Sequence, residues 1–114
     1  MELKKNKFHK YIRNEEHEKF NSEIETLGGP VDLENCDLNN LDLRGFNLTN
    51  ANLKNSYLKM ADLRGVDLSD AQMEGASVNR AHISGAYFPK NISATEIMLS
   101  VEKGTRMRCN NKQS

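Results

Sequence analysis

Between Val31 and Lys90 apolar residues recur at every fifth position, a spacing that no regular helix or flat strand can place on one face. The stretch divides without remainder into twelve five-residue units, from VDLEN and CDLNN at its start to AHISG and AYFPK at its end. The third position is apolar in every unit: leucine from Leu33 to Leu68, then Met73, Val78, Ile83 and Phe88. The first position is apolar in all but one unit, where it is Ser56. On an α-helix, at about 3.6 residues per turn, Leu33, Leu38 and Leu43 would spread around the axis. On a straight strand an odd step sends successive side chains to opposite faces. To keep them together the chain must turn once per unit.

Within a unit, the first and third positions lie two apart and point the same way from a short extended segment. The other three positions are polar or turn-forming in most units, as in Asp42, Arg44 and Gly45, or Asp62, Arg64 and Gly65. Glycine at the corner (Gly45, Gly65, Gly75, Gly85) suits backbone angles that a Cβ resists. These residues predict a solenoid with one inward stripe of leucine and another of alanine-sized groups.

ANLKN, ADLRG and VDLSD resemble the A(D/N)Lxx consensus of pentapeptide-repeat proteins, and the resemblance covers about half the chain. It implies an all-β fold: a right-handed quadrilateral parallel β-helix with four units per coil, hence about three coils here. Right-handedness agrees with the general rule for parallel crossovers. Strands stacked roughly 4.8 Å apart would make a tower about 15 Å tall.

A stack of this kind exposes its apolar interior at both ends and needs caps with polar outer faces. Residues 1–30 read as a helical N-terminal cap, with Phe8, Tyr11, Ile12, Phe20, Ile24 and Leu27 at helical spacing. The rhythm lapses around Glu15–Glu18, which leaves open one kinked helix or two, with Asn14 as N-cap of the second. Gly28-Gly29-Pro30 is a stop. Phe20, Ile24 and Leu27 are expected to cover the first coil, with Leu41 and Phe46 filling the junction. The repeat, residues 31–90, ends at Phe88-Pro89. Residues 91–104 then predict a capping helix: a capping box at Ser93–Glu96, a hydrophobic staple of Ile92 and Ile97, and Gly104 as the stop. Residues 105–114 read as a basic, mobile tail.

The 114 residues make one small domain with sixteen acidic and sixteen basic side chains. That balance argues against a nucleic-acid or membrane-surface partner. With no signal peptide, membrane-length apolar run or lipidation motif in the sequence, a cytoplasmic protein is expected. The glycosylation-like triplets at Asn47 and Asn91 are then chance matches. Cys36 falls at an inward position, and Cys109, in the tail, is the thiol expected to react. His9, His17 and His82 show no metal-ligand spacing, so no metal site or cofactor is expected. No nucleophile–base pair or phosphate loop can be named, and a tower filled by Leu and Ala leaves no pocket. An enzyme is not expected.

With four units per coil, residues twenty apart stack in columns. One face then carries Asp42, Asp62 and His82 beside Arg44, Arg64 and Ser84. This reads as a solvated charged face, the alternative being a docking strip for an acidic partner through Arg44 and Arg64. A second face presents Tyr57, Lys59 and Met60 with Asn79 and Arg80, types enriched at interfaces, and is the favoured partner-binding surface. Tyr87 belongs to the opposite face. The expected function is a non-catalytic protein-binding or scaffold module, an adaptor or a subunit of a larger assembly, with an unidentified protein partner and an open oligomeric state. The family also offers DNA mimics that bind DNA gyrase and confer quinolone resistance. Those are longer, dimeric, strongly acidic rods, from which this chain departs in coil number, in net charge and in its C-terminal helix. A secreted effector or targeting domain is a further alternative, for which only the basic Lys4–Arg13 stretch speaks.

Overall fold

Each five-residue unit closes on itself through one backbone hydrogen bond. In the computed structural model, which describes residues 6–110, the first N–H of a unit donates to the third carbonyl of the unit before it. The series runs from Cys36 N to Leu33 O, 3.2 Å, through to Ala86 N and Ile83 O, 3.0 Å. The fifth residue has positive φ at nine of these corners, among them Asn35, Asn40, Gly45, Asn55, Met60 and Arg80. That is type II turn geometry, which favours glycine or asparagine. Every fourth corner, at Asn50 and Asp70, keeps the bond without a positive φ, as a type I turn does. In seven of the first eight units the fourth-position N–H donates to the side chain two residues earlier, as from Glu34 N to Asp32 Oδ1, Arg44 N to Asp42 Oδ1 and Lys54 N to Asn52 Oδ1, at 3.0–3.1 Å. Asp and Asn at the second position are therefore local turn-formers as well as water-facing groups.

Every pairing between turns joins residues twenty apart. Seven isolated parallel bridges occur, among them Asp32 with Asn52, Asn52 with Gln72, and Tyr57 with Ser77. The chain thus returns over itself every four units. The expected all-β class, however, is overturned. Among the described residues the regular elements are three helices, α1 (Lys7–Arg13), α2 (His17–Leu27) and α3 (Ala94–Lys103), and only 11% of residues have strand or bridge character. The right-handed parallel β-helix of about three coils gives way to a helix-capped stack of turns with no continuous strand or sheet. The reason is the length of the extended segment. Asn52 donates to Val31 O and accepts from Leu33 N, both at 2.8 Å, and Asn35 N still donates to Lys54 O at 3.0 Å; but Leu33 O, which the ladder needs next, accepts the turn bond from Cys36 N, and Lys54 N donates to Asn52 Oδ1 instead. A bridge cannot grow into a strand.

The core keeps the period of five even so. Leu33, Leu38, Leu43, Leu48, Leu53, Leu58, Leu63 and Leu68 are all at most 1% exposed. Each buried leucine contributes about 1.5–3 kcal/mol. Ala51, Ala61 and Ala76 are buried beside them, and the inward Ser56 donates its hydroxyl to Leu53 O at 2.7 Å. Ile83 and Phe88, in the last turn, are only partly covered.

Two helices close the upper end. The Asn6 side chain caps α1 by accepting from His9 N, 3.0 Å. The chain breaks at Glu15, which has φ 56°. Asn14 therefore closes α1 instead of opening α2, whose N-cap is Glu16. Phe20 is fully buried and meets Phe8 and Phe46 edge-on at centroid distances of 5.7 and 5.2 Å, and His17 stacks on Phe46 at 4.1 Å. Leu27, expected in this cap, is 42% exposed. The polar half of the seal uses side chains against the open rim of the first turn. His9 Nε2 meets Asp37 O at 2.8 Å, Asn6 Nδ2 donates to Asp32 O at 2.8 Å, and Asn21 donates to Gly45 O and accepts from Asn47 N. Rim carbonyls that would otherwise lack partners are thereby satisfied.

At the lower end α3 begins with Ser93 accepting from Glu96 N and ends at Gly104, φ 76°. The Glu96 carboxylate binds Arg108 instead of completing the capping box. Ser100, buried, accepts from Val78 N at 2.9 Å and donates to Thr105 O at 2.6 Å. Residues 105–110 are not the free tail expected of them. Met107 is fully buried, its N–H donates to Ala76 O at 2.8 Å, and its carbonyl accepts from Gly75 N at 2.7 Å. Residues 1–5, with Lys4 and Lys5 of the basic stretch, and residues 111–114 of the tail lie outside the described residues.

Leu53 sits midway down this core. Leu53→Lys places a charge where nothing can pair with it, a loss of several kcal/mol. The expected outcome is a chain with no cooperative thermal transition by circular dichroism; a melt like the parent's contradicts the inward assignment.

Candidate functional site

SYLKM, residues 56–60, departs from its neighbours at three positions, each at some local cost. Ser56 replaces an apolar inward group. Tyr57 stands where the other seven of the first eight units have Asp or Asn supporting the turn, and Lys59 N donates instead to Asn39 Oδ1, one turn away, at 2.8 Å. Met60 occupies the left-handed corner with φ 60°, and Arg80, one turn on, does the same with φ 57°. Left-handed backbone costs a residue with a Cβ roughly 1–2 kcal/mol. Such outliers concentrate where a surface has a task besides folding.

These residues share one side of the stack with a partner that the sequence reading left out. Arg106 crosses from the C-terminal segment to Tyr57: its Nη2 donates to the phenol oxygen at 2.5 Å, its guanidinium carbon lies 5.1 Å from the ring centroid, and its Nη1 donates to Gly75 O. Tyr57 is consequently half-buried, while Lys59, Met60, Arg80 and Arg106 are exposed. Asn79 packs against Gly104. The one signal for Arg106 in the sequence is the alternation Arg106, Met107, Arg108, Cys109, in which every second residue is buried or partly so. Tyr87, 66% exposed, pairs with Asp67 in a different column and does not join this side.

Arg44 and Arg64, the other two expected partner contacts, are engaged within the chain. Arg44 pairs with Asp42 at 2.9 Å and with Asp62 at 3.3 Å, and Arg64 pairs with Asp62 at 2.7 Å. The hydrogen bond from Arg64 holds the Asp62 carboxyl far below the usual carboxylate range, and that from Arg44 lowers Asp42. The four groups form a self-neutralised ladder. By contrast, Lys59, Arg80 and Arg106 have no carboxylate within ion-pair distance among the described residues. In units 36–40, 56–60 and 76–80, Lys59 and Arg80 face only Asp37, before Arg106 is added. The other three sides of the stack are neutral or acidic.

Cys109, expected to be the reactive thiol, is partly buried, and burial together with Glu74 pushes its thiol pKa up. It is therefore a poor thiolate at neutral pH. Cys36 is fully buried. No cluster of His, Cys, Asp and Glu among the described residues has the geometry to hold a metal ion. No helix among them is long and apolar enough to cross a membrane.

Two measurements follow from this geometry. Met60→Asn gives the corner a residue that tolerates left-handed backbone, as Asn35, Asn40 and Asn55 already do. It should raise stability by about 0.5–1 kcal/mol in urea titrations; a loss of stability contradicts the strain. The second concerns acid. Asp42, Asp62 and Glu96 all have lowered folded-state pKa values. Their contribution is complete above the unfolded carboxylate range, near pH 4, and is lost as pH falls through the folded values. The melting temperature should drop steadily from about pH 5 to pH 2. Asp62→Asn should melt lower than the parent at pH 7 and show a shallower acid decline; parallel curves contradict the assignment.

No curated protein and no solved structure matches the chain. The family model for pentapeptide repeats matches it in eight copies, over residues 32–70 and 47–85. Those residues are the ones that build the twenty-residue register and its leucine core. The chain belongs to the pentapeptide-repeat family.

Proposed function

We propose that this protein is a non-catalytic, cytoplasmic protein-binding module, acting as an adaptor or as a subunit of a larger assembly, and that Tyr57, Lys59, Met60 and Arg80 face its partner. Pentapeptide-repeat proteins are generally non-catalytic interaction modules. The observation that carries the reading is the SYLKM unit. It gives up a turn-supporting Asp or Asn and accepts left-handed Met60, and in return presents an aromatic, a methionine and cations on one side. These are side chains that contribute disproportionately to interfaces. A fully packed leucine core supports the non-catalytic part, since it offers no interior site for a substrate.

The test is a double substitution, Tyr57→Ala with Met60→Ser, used as bait beside the parent in affinity capture with quantitative mass spectrometry. Both baits should melt within about 1 kcal/mol of each other, as surface changes usually do. The expected result is a partner recovered in near-stoichiometric amount by the parent and lost by the variant. Equal recovery by both removes this surface from the reading, and no specific recovery by the parent removes the function.

A further inference from the structure

Among the described cations, Lys7, Lys19, Arg44, Arg64 and Arg108 each have a carboxylate within ion-pair distance. Lys10, Arg13, Lys54, Lys90 and Lys103 have none and lie on α1, on a net-acidic side of the stack, at the end of the repeat and at the end of α3. Lys59, Arg80 and Arg106, also with none, gather on one side. We infer that this side binds an acidic segment of a partner protein, its carboxylates meeting Lys59, Arg80 and Arg106 and its chain lying against the Tyr57 ring. This rests on the interaction-module reading and gives the partner a chemistry.

Three observations carry it. First, charge complementarity: this is the positively charged side of an otherwise neutral or acidic stack on a chain of zero net charge. A local patch of this kind steers and orients a partner of opposite sign. Second, pre-organisation. Arg106 is held by Tyr57 and by Gly75 O, and Met107 next to it is buried, so the guanidinium is fixed on the surface. A donor held in place in this way loses less side-chain freedom on binding. Third, Lys59 and Arg80 hang from consecutive turns whose backbones are hydrogen-bonded, Met60 N to Asn79 O at 2.8 Å. Stacked turns repeat at roughly 4.8 Å, so the cations form a short ladder matched to a run of carboxylates. A nucleic acid fits less well, because affinity for a phosphate backbone grows with the number of phosphates neutralised and this side offers only three cations.

The experiment is a titration of the isotope-labelled full chain, followed by amide chemical shifts. The probes are a pool of ten-residue peptides half Asp and Glu, a matched Lys-rich pool, and a ten-base-pair DNA duplex. The acidic pool should give saturable shifts centred on Tyr57, Lys59, Met60, Arg80 and Arg106, weakening roughly tenfold between low and high salt. Lys59→Glu with Arg80→Glu should abolish those shifts while the protein melts like the parent. Shifts centred elsewhere, no saturable shift, DNA binding as tight as the acidic pool's, self-association through this side, or binding that survives the charge reversal would each overturn the inference. If a captured partner is lost by Tyr57→Ala/Met60→Ser but survives the charge reversal, the module reading stands and the acidic partner falls.

Discussion

The hydrogen bond that closes each unit, from the first N–H of one to the third carbonyl of the one before, is the constraint from which the rest of the structure follows. It leaves an extended segment of only three residues between corners. The outer two of those point inward, so the core becomes a column of leucines beside a column of alanine-sized groups. The middle one bonds to the turns on either side, giving single bridges twenty residues apart. The same closure prevents those bridges from lengthening into strands. Period, core and the absence of a sheet among the described residues share this cause.

A stack built this way leaves peptide groups unpaired at both ends, and the helices act there as donors and acceptors as much as apolar lids. At the top, Asn6, His9, His17 and Asn21 send side-chain atoms to rim backbone groups. At the bottom, Ser100 and the backbone of Met107 do so. Docking the C-terminal segment also brings Arg106 onto Tyr57, which is how sealing the stack completes the proposed interaction surface. On the neighbouring side, arginines are neutralised by Asp42 and Asp62, so exposed basic residues alone do not mark a docking site.

Much of this was legible in the sequence because the third position is apolar in every unit, which settles which residues are buried without any structure. The corners at Gly45, Gly65, Gly75 and Gly85, the cap at Ser93 and the stops at Gly28 and Gly104 were equally readable, each being a local backbone requirement. Strand content was not, since it depends on how far a bridge can extend between turns. The break between α1 and α2 was misplaced because it hangs on a left-handed Glu15, a residue type that gives no such signal. On the proposed surface, unit phase places Tyr57, Lys59, Met60 and Arg80 on one side, whereas Arg106 depends on a contact 49 residues away in sequence. The alternation that buries Met107 is too short to stand out from an unstructured tail.

Amide hydrogen exchange tests the central claim most directly, because it reads each backbone hydrogen bond in the stack separately. The account predicts a five-residue rhythm. Second- and third-position amides bonded between turns, such as Asn52, Leu53, Tyr57, Leu58, Asp62 and Leu63, should exchange slowest. Fourth-position amides held only by a local side chain, such as Glu34, Arg44 and Lys54, should exchange faster. Protection without that rhythm, or confined to the three helices, would contradict it.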